Sequence, residues 1–199
     1  STSAIGAAMC LGFAMPDNFH FPYAAIGFSD FWRRWHITLS SWLRDYLYIP
    51  LGGNRHGEAR TYLALMVTML LGGLWHGASW AFVVWGGLHG FYLAAERILR
   101  SRFSGYRPGP FTLFLFALLT YALINITWVF FRADSFGKAW MILSGMFGMN
   151  VGAAPILPTM HLTMVTLIVS GIVFAHWQMR QQTLESFIAR VPTWLLSCT

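Results

Sequence analysis

The 199-residue chain is 56% hydrophobic and only 10% charged. Soluble domains carry about 25% charged residues, so this chain cannot dress an ordinary aqueous surface. Its net charge of +6 is the balance of 13 basic residues, 12 of them arginines, against 7 acidic ones. The arginines are the dominant charge. They sit among aromatic and apolar neighbours rather than in a solvated stripe, which excludes a nucleic-acid-binding domain, disorder and collagen-like repeats. The composition is that of an integral membrane protein of the all-α, polytopic class.

In chain order, the first apolar stretch, 4–15, is too short to cross a bilayer, which takes about 20 residues. It reads as the tail of a transmembrane helix whose beginning lies upstream. Pro16, Asp17 and Asn18 signal a turn, and 18–28, with Pro22, reads as a loop. Ser29 is placed to cap a helix over 29–49. At 100° per residue it puts Phe31, Trp32, Trp35, Leu39, Trp42, Leu43, Tyr46 and Leu47 on one face, with Arg33, Arg34 and Arg44 opposite. This amphipathic helix lies at the interface or packs on other helices. A turn-rich polar connection, 51–57, follows.

The stretch 61–95 contains no acid, lysine or arginine. As one helix it would be about 52 Å long, against a hydrocarbon core of about 30 Å. Gly72, Gly73, Gly77, Gly86 and Gly87 favour a broken or re-entrant path, which is tolerated at that depth only where it is buried in protein or lines a cavity. Arg97, Arg100, Arg102 and Arg107 mark a cytoplasmic loop by the positive-inside rule. Transmembrane helices are expected at 111–131 and 162–177, separated by an apolar run over 139–152 and by Pro155 and Pro158. Arg180 and Arg190 return to the cytoplasmic side. The whole, 1–199, reads as a single membrane domain.

Ionisable groups within the apolar runs are the candidates for chemistry. His76 stands at the centre of the long uncharged stretch, with patches of arginine on either side. A neutral imidazole accepts a proton near neutral pH, and Gly73 and Gly77 leave room for a substrate. Equally, those glycines can form a helix-packing face, with His76 bonded to a neighbouring helix. The residues alone leave the two readings even. His36 lies at the edge of the apolar face of 29–49, where a structural role is the simpler one. Arg33, Arg34 and Arg44 suit a phosphate or carboxylate, and equally lipid headgroups. His89, His161 and His176 read as weaker candidates near membrane surfaces.

Several chemistries have no motif here: there is no nucleophile elbow, Walker loop or dinucleotide fingerprint. Cys10 and Cys198 make neither a disulfide framework nor metal-ligand spacing, so no metal site is expected. What remains is histidine as a lone base or as a haem ligand. His76 and His89 are 13 residues apart and His161 and His176 are 15 apart, so two helices bearing such pairs would suit a b-type haem electron carrier. The unequal spacings and the glycines at 86–87 count against it. A transporter or scaffold using the same broken helix is the third reading, weakened by the lack of intramembrane charges to pair.

The stretch from Phe31 to Arg55, FWRRWHITLSSWLRDYLYIPLGGNR, closely resembles the signature of the membrane-bound O-acyltransferases. The pentapeptide GLWHG at 73–77 resembles the family's second histidine motif. LGFAMPDNF at 11–19 and TWVFFRADSF at 127–136 add support, and the similarity runs from residue 4 to about residue 140. The branch most similar contains the alginate O-acetyltransferase membrane subunit. The resemblance implies a ring of transmembrane and re-entrant helices around a tunnel. It implies that this chain is the C-terminal half of a longer protein in the bacterial inner membrane. It implies transfer of an acetyl group from a thioester, acetyl-CoA, to hydroxyls of a cell-surface polysaccharide, with no metal. It assigns His76 as the histidine essential for transfer and His36 as the second signature histidine. Membrane lipid, a periplasmic acetyltransferase partner and polysaccharide export machinery are the expected partners.

Overall fold

A computed structural model describes residues 2–149 and 158–180. Among them every regular element is helical. Arg190 and Cys198 lie outside the described residues. The order is α1 (Thr2–Cys10), a 3₁₀ turn (Pro22–Ala24), α2 (Phe28–Arg34), α3 (Ile37–Leu43), a π turn (Arg44–Tyr48), α4 (Glu58–Trp75), α5 (Trp80–Arg102), α6 (Pro110–Arg132), α7 (Phe136–Met146) and α8 (Thr159–Gln178). Of these, α6 and α8 are long and apolar enough to cross a bilayer. Large apolar side chains on them, such as Phe111, Leu119, Leu167 and Phe174, are exposed. Lipid or further protein, not water, is the medium such surfaces require.

The uncharged run 61–95 folds as a helical hairpin. Its two arms, α4 and α5, run antiparallel and part at His76–Ser79, where the Ser79 hydroxyl accepts the Ala81 N–H at 3.3 Å and caps α5. The paired glycines are not the break. A Cβ on Gly73 would fall inside van der Waals contact of the Phe82 carbonyl oxygen, and one on Gly86 inside that of the Met69 carbonyl oxygen. Gly73 and Gly86 therefore mark where the two backbones touch, as small residues do between membrane helices.

The helix expected over 29–49 is not continuous. It is split at Trp35 and His36 into α2 and α3, and beyond Leu43 it loosens into a π turn closed by Ile49 N–H on the Arg44 carbonyl at 2.9 Å. The cause is a distant loop. The His20 N–H donates to the Arg34 carbonyl and the Ile37 N–H to the Asn18 carbonyl, both at 2.9 Å. The Asn18 side-chain oxygen accepts from both the backbone and the hydroxyl of Thr38. Backbone groups that a continuous helix would pair internally are thus satisfied by 18–20. The split also divides the predicted apolar face: Phe31, Trp32 and Leu43 are buried, whereas Trp42 and Tyr46 are exposed.

The core gathers Ala25, Phe28, Phe31 and Trp32 against Met69 of α4, Trp85 of α5 and Ile124 of α6. Three polar ties dock α2 on it. The Gly27 N–H donates to the Thr120 hydroxyl and the Ser29 N–H to a Glu96 carboxylate oxygen, each at 2.9 Å. Glu96 also pairs with Arg100 at 2.7 Å. Asp30 pairs with Arg34 at 2.9 Å and with Arg180, just past α8, at 3.0 Å. Burial alone would raise the Asp30 carboxyl. The Ile26 N–H and the Arg180 and Arg34 guanidinium groups outweigh it and hold Asp30 below the usual carboxylate range.

Gly27 has φ +87°, and a Cβ there would lie 2.6 Å from Glu96 Oε1. With ψ 166° this is backbone that essentially only glycine adopts, and an L-residue there costs about 1–3 kcal/mol before any clash. Gly27→Ala is therefore expected to destabilise the protein by about 2 kcal/mol, since it also pushes Glu96 off the start of α2. Thermal unfolding in detergent measures this. An unchanged midpoint would show that the Gly27–Glu96 contact does not secure α2.

Candidate active site

His76 forms the C-terminal cap of α4, its N–H donating to the Gly73 carbonyl at 3.0 Å. Its ring is half-buried and walled by aromatic rings from three elements. Trp75 lies at 4.8 Å, Phe131 at 5.0 Å and Trp85 at 5.3 Å between centroids, all edge-to-face, with Phe82 at 6.0 Å. No hydrogen bond of the imidazole is made among the described residues, so of the two even readings the bond to a neighbouring helix is absent. The glycine packing face, by contrast, is real. Gly77 has φ +154°, and a Cβ there would lie 2.9 Å from the Phe82 ring. Glycine thereby leaves the Phe82 wall in place.

The position of His76 differs from that suggested by its place in the sequence. It lies at the tip of the hairpin, level with Phe131, one residue from the end of α6. Arg97 is 17 residues along α5 from Trp80, about 26 Å of helix. The arginine patches do not flank it. The start of α2 sits on Glu96, and Tyr48 is within electrostatic reach of Arg97, so the two patches meet at the other end of the hairpin.

His36 stands at the split between α2 and α3 with φ +44° and ψ 57°. Left-handed backbone at a non-glycine residue is uncommon and concentrates at functional positions. The His36 ring lies 6.1 Å from Phe19 and 6.3 Å from Trp75, whose other neighbour is His76. The two imidazoles are close enough for a charge on one to be felt by the other. Its buried Nδ1 has no hydrogen-bond partner among the described residues. The fold thus brings the two signature histidines, 40 residues apart in sequence, against one indole, that of Trp75.

The remaining candidates separate. Arg34 is committed to Asp30 and Arg44 pairs with Asp45 at 2.7 Å; Arg33 and Arg44 are exposed and line a cleft of about 360 Å³ with Ser40, Ser41 and Thr68. His161 is exposed, and His176 packs on Phe21 and Tyr23. His89 is fully buried within the protein, with Nε2 3.1 Å from the Thr127 hydroxyl. No charged residue within 80–95 marks an outward face, so the sequence alone did not separate His89 from His161 and His176. His76 and His89 do not share a helix, and among the described residues no three His, Cys, Asp or Glu side chains gather as a metal site.

Comparison with known proteins supplies the family. The family model for the membrane-bound O-acyltransferases matches residues 2–111, more than half of the chain. A "Probable alginate O-acetylase AlgI" of Azotobacter vinelandii is 44% identical over 184 residues, covering 91% of this chain and 36% of that protein. A "Peptidoglycan O-acetyltransferase" of Helicobacter pylori is 47% identical over 149 residues, 74% of this chain and 28% of that protein. A "Teichoic acid D-alanyltransferase" of Streptococcus thermophilus is 32% identical over 100 residues, 47% of this chain and 24% of that protein. The chain spans about a third of the length of the alginate relatives it matches. The aromatic box around GLWHG, the split signature helix and the family match all lead to one assignment: this chain belongs to the membrane-bound O-acyltransferase family.

Proposed function

We propose that the protein acts in the bacterial inner membrane as an O-acetyltransferase, moving an acetyl group from a thioester donor to hydroxyls of a cell-surface polysaccharide of the alginate type. The observation that carries this reading is the pairing of His36 and His76 against Trp75, with the His76 imidazole free of hydrogen bonds in an aromatic box. The names of the alginate and peptidoglycan relatives support an acetyl group and a carbohydrate acceptor. The helices form part of a ring around a tunnel, with 111–131 and 162–177 as spans.

In the reaction the acceptor hydroxyl oxygen attacks the carbonyl carbon of the thioester while His76 takes its proton. The tetrahedral intermediate collapses with cleavage of the C–S bond. CoA leaves as a thiolate and receives the proton held by His76, so the base is regenerated. His36, in contact with the same Trp75 ring, positions that indole or the substrate. The exposed guanidinium groups of Arg33 and Arg44 and the arginines at 97–107 draw the phosphates of acetyl-CoA to the cytoplasmic end. The acetyl group therefore has to cross most of the hairpin's length to reach His76, which suits delivery to a periplasmic acetyltransferase partner and to the polysaccharide export machinery.

The test is transfer in membrane vesicles containing the protein, supplied with acetyl-labelled acetyl-CoA and de-acetylated polysaccharide. Alkali-labile label on the polymer, dependent on the protein, is the expected result. Properly inserted protein that leaves the polymer unlabelled, with the partner present, would overturn the reading.

A further inference from the structure

His89 and Thr127 are the most deeply buried polar pair among the described residues, both with essentially no exposed surface. The Thr127 hydroxyl donates its own proton to the Ile124 carbonyl at 2.7 Å. Its contact with His89 Nε2 at 3.1 Å therefore requires the histidine to donate. The hydrogen bond selects the Nε2–H tautomer of a neutral ring, and Nδ1 is left buried with no partner. An unpaired acceptor in the interior bears the full cost of its lost hydration, so an imidazole is a poor choice merely to fill this space.

The ring is held by aromatic contacts that lead in two directions. Toward α2, it lies parallel to Phe31 at 6.1 Å, and Phe31 in turn stacks on Trp35, the residue before His36. Within α5, it meets Trp85 edge-on at 4.6 Å, and Trp85 forms one wall around His76 at 5.3 Å. Trp32 closes a third side at 5.1 Å. His89 thus bonds α5 to α6 and sits between the segments that carry the two signature histidines. Its Nε2–H bond fixes the rotation of the ring, and the ring's edge and face fix those of Trp85 and Phe31.

We infer that His89, locked by its hydrogen bond to Thr127, is a positioning residue that holds the walls around His76 and His36 in register for transfer. The inference rests on the acetyltransferase reading above. It assigns His89 no contact with substrate and no proton transfer; its effect runs through Trp85 and Phe31.

The experiment measures acetyl transfer in the vesicle system for wild type, His89→Leu, His89→Gln, Thr127→Val and the double variant His89→Leu/Thr127→Val, each normalised to folded protein in the membrane. His89→Leu is expected to lower kcat about tenfold or more with KM for the acetyl donor within about twofold, because small misplacements of catalytic groups cost rate rather than binding. His89→Gln, whose amide N–H is able to donate to Thr127, is expected to recover kcat to within about threefold of wild type. Thr127→Val is expected to resemble His89→Leu, and the double variant to lose no more than either alone, as for two members of one interaction. The inference is overturned by a leucine variant with wild-type kcat, by a glutamine variant no better than leucine, or by additive losses in the double variant. Inactive wild-type vesicles would instead sink the acetyltransferase reading on which it rests.

Discussion

His76→Ala in the protein expressed in its native membrane is expected to abolish polysaccharide acetylation while leaving insertion and abundance unchanged. A placed general base is worth about 10²–10⁴ in rate. Among the described residues the aromatic box holds no second base, and His36 touches it only through Trp75. Folding is expected to survive because the His76 side chain is half-buried at a helix-to-helix turn and makes no hydrogen bond. The companion variant is His36→Asn. Asparagine tolerates the left-handed backbone at φ +44°, as alanine does not, so it separates the imidazole from the backbone it occupies. Acetylation retained by His36→Asn and lost in His76→Ala would make His36 a positional residue and His76 the base. Ester content of the polymer, measured by mass spectrometry against membrane abundance, decides both. Substantial acetylation by His76→Ala would remove His76 from the chemistry.

The limits of the sequence are instructive at three residues. The charge pattern indicated membrane helices, and the long uncharged run 61–95 was too long for one of them. Six glycines in that run offered several places for a break, however, and only one lies in it. Gly77 is at the turn, while Gly73 and Gly86 serve the contact between the arms. Ser79, a good cap immediately before α5, was the local signal that distinguished the turn from the packing glycines. The split at His36 had no local signal. The 29–49 pattern is helical throughout, and what divides it is hydrogen bonding from Asn18 and His20, visible only once the chain has folded. His89 shows the third kind of limit, a buried polar residue in the uncharged part of α5. The charges of α5 begin at Glu96, and within 80–95 there is no charged residue to mark an outward face. The two signature histidines were legible from motif alone, but their meeting at Trp75 was not.

The second large effect concerns how the hairpin holds His76 at its tip. Gly86→Ala is expected to destabilise the protein by about 3 kcal/mol or more, and to reduce acetylation further than the loss of folded protein explains. Overpacking usually costs about 1–3 kcal/mol because neighbouring side chains shift. Here the neighbours of the new methyl group are backbone atoms. Besides the Met69 carbonyl oxygen, it would lie 3.1 Å from the Met69 carbonyl carbon and 3.2 Å from the Leu70 Cα. Only separation of α4 from α5 relieves that contact. A shift of the arms carries Trp85, one residue before Gly86, and with it a wall of the His76 box. Gly87→Ala is the matched control. The added methyl there meets only the Leu70 side chain, at 3.7 Å, an ordinary contact. Removing a glycine from a helix interior gains about 1 kcal/mol in propensity, so that variant is expected to be neutral or slightly more stable. Thermal unfolding in detergent and acetylation per folded molecule read the two outcomes. Equal behaviour of the adjacent alanine variants would mean that the α4–α5 backbone contact neither secures the hairpin nor sets the position of His76.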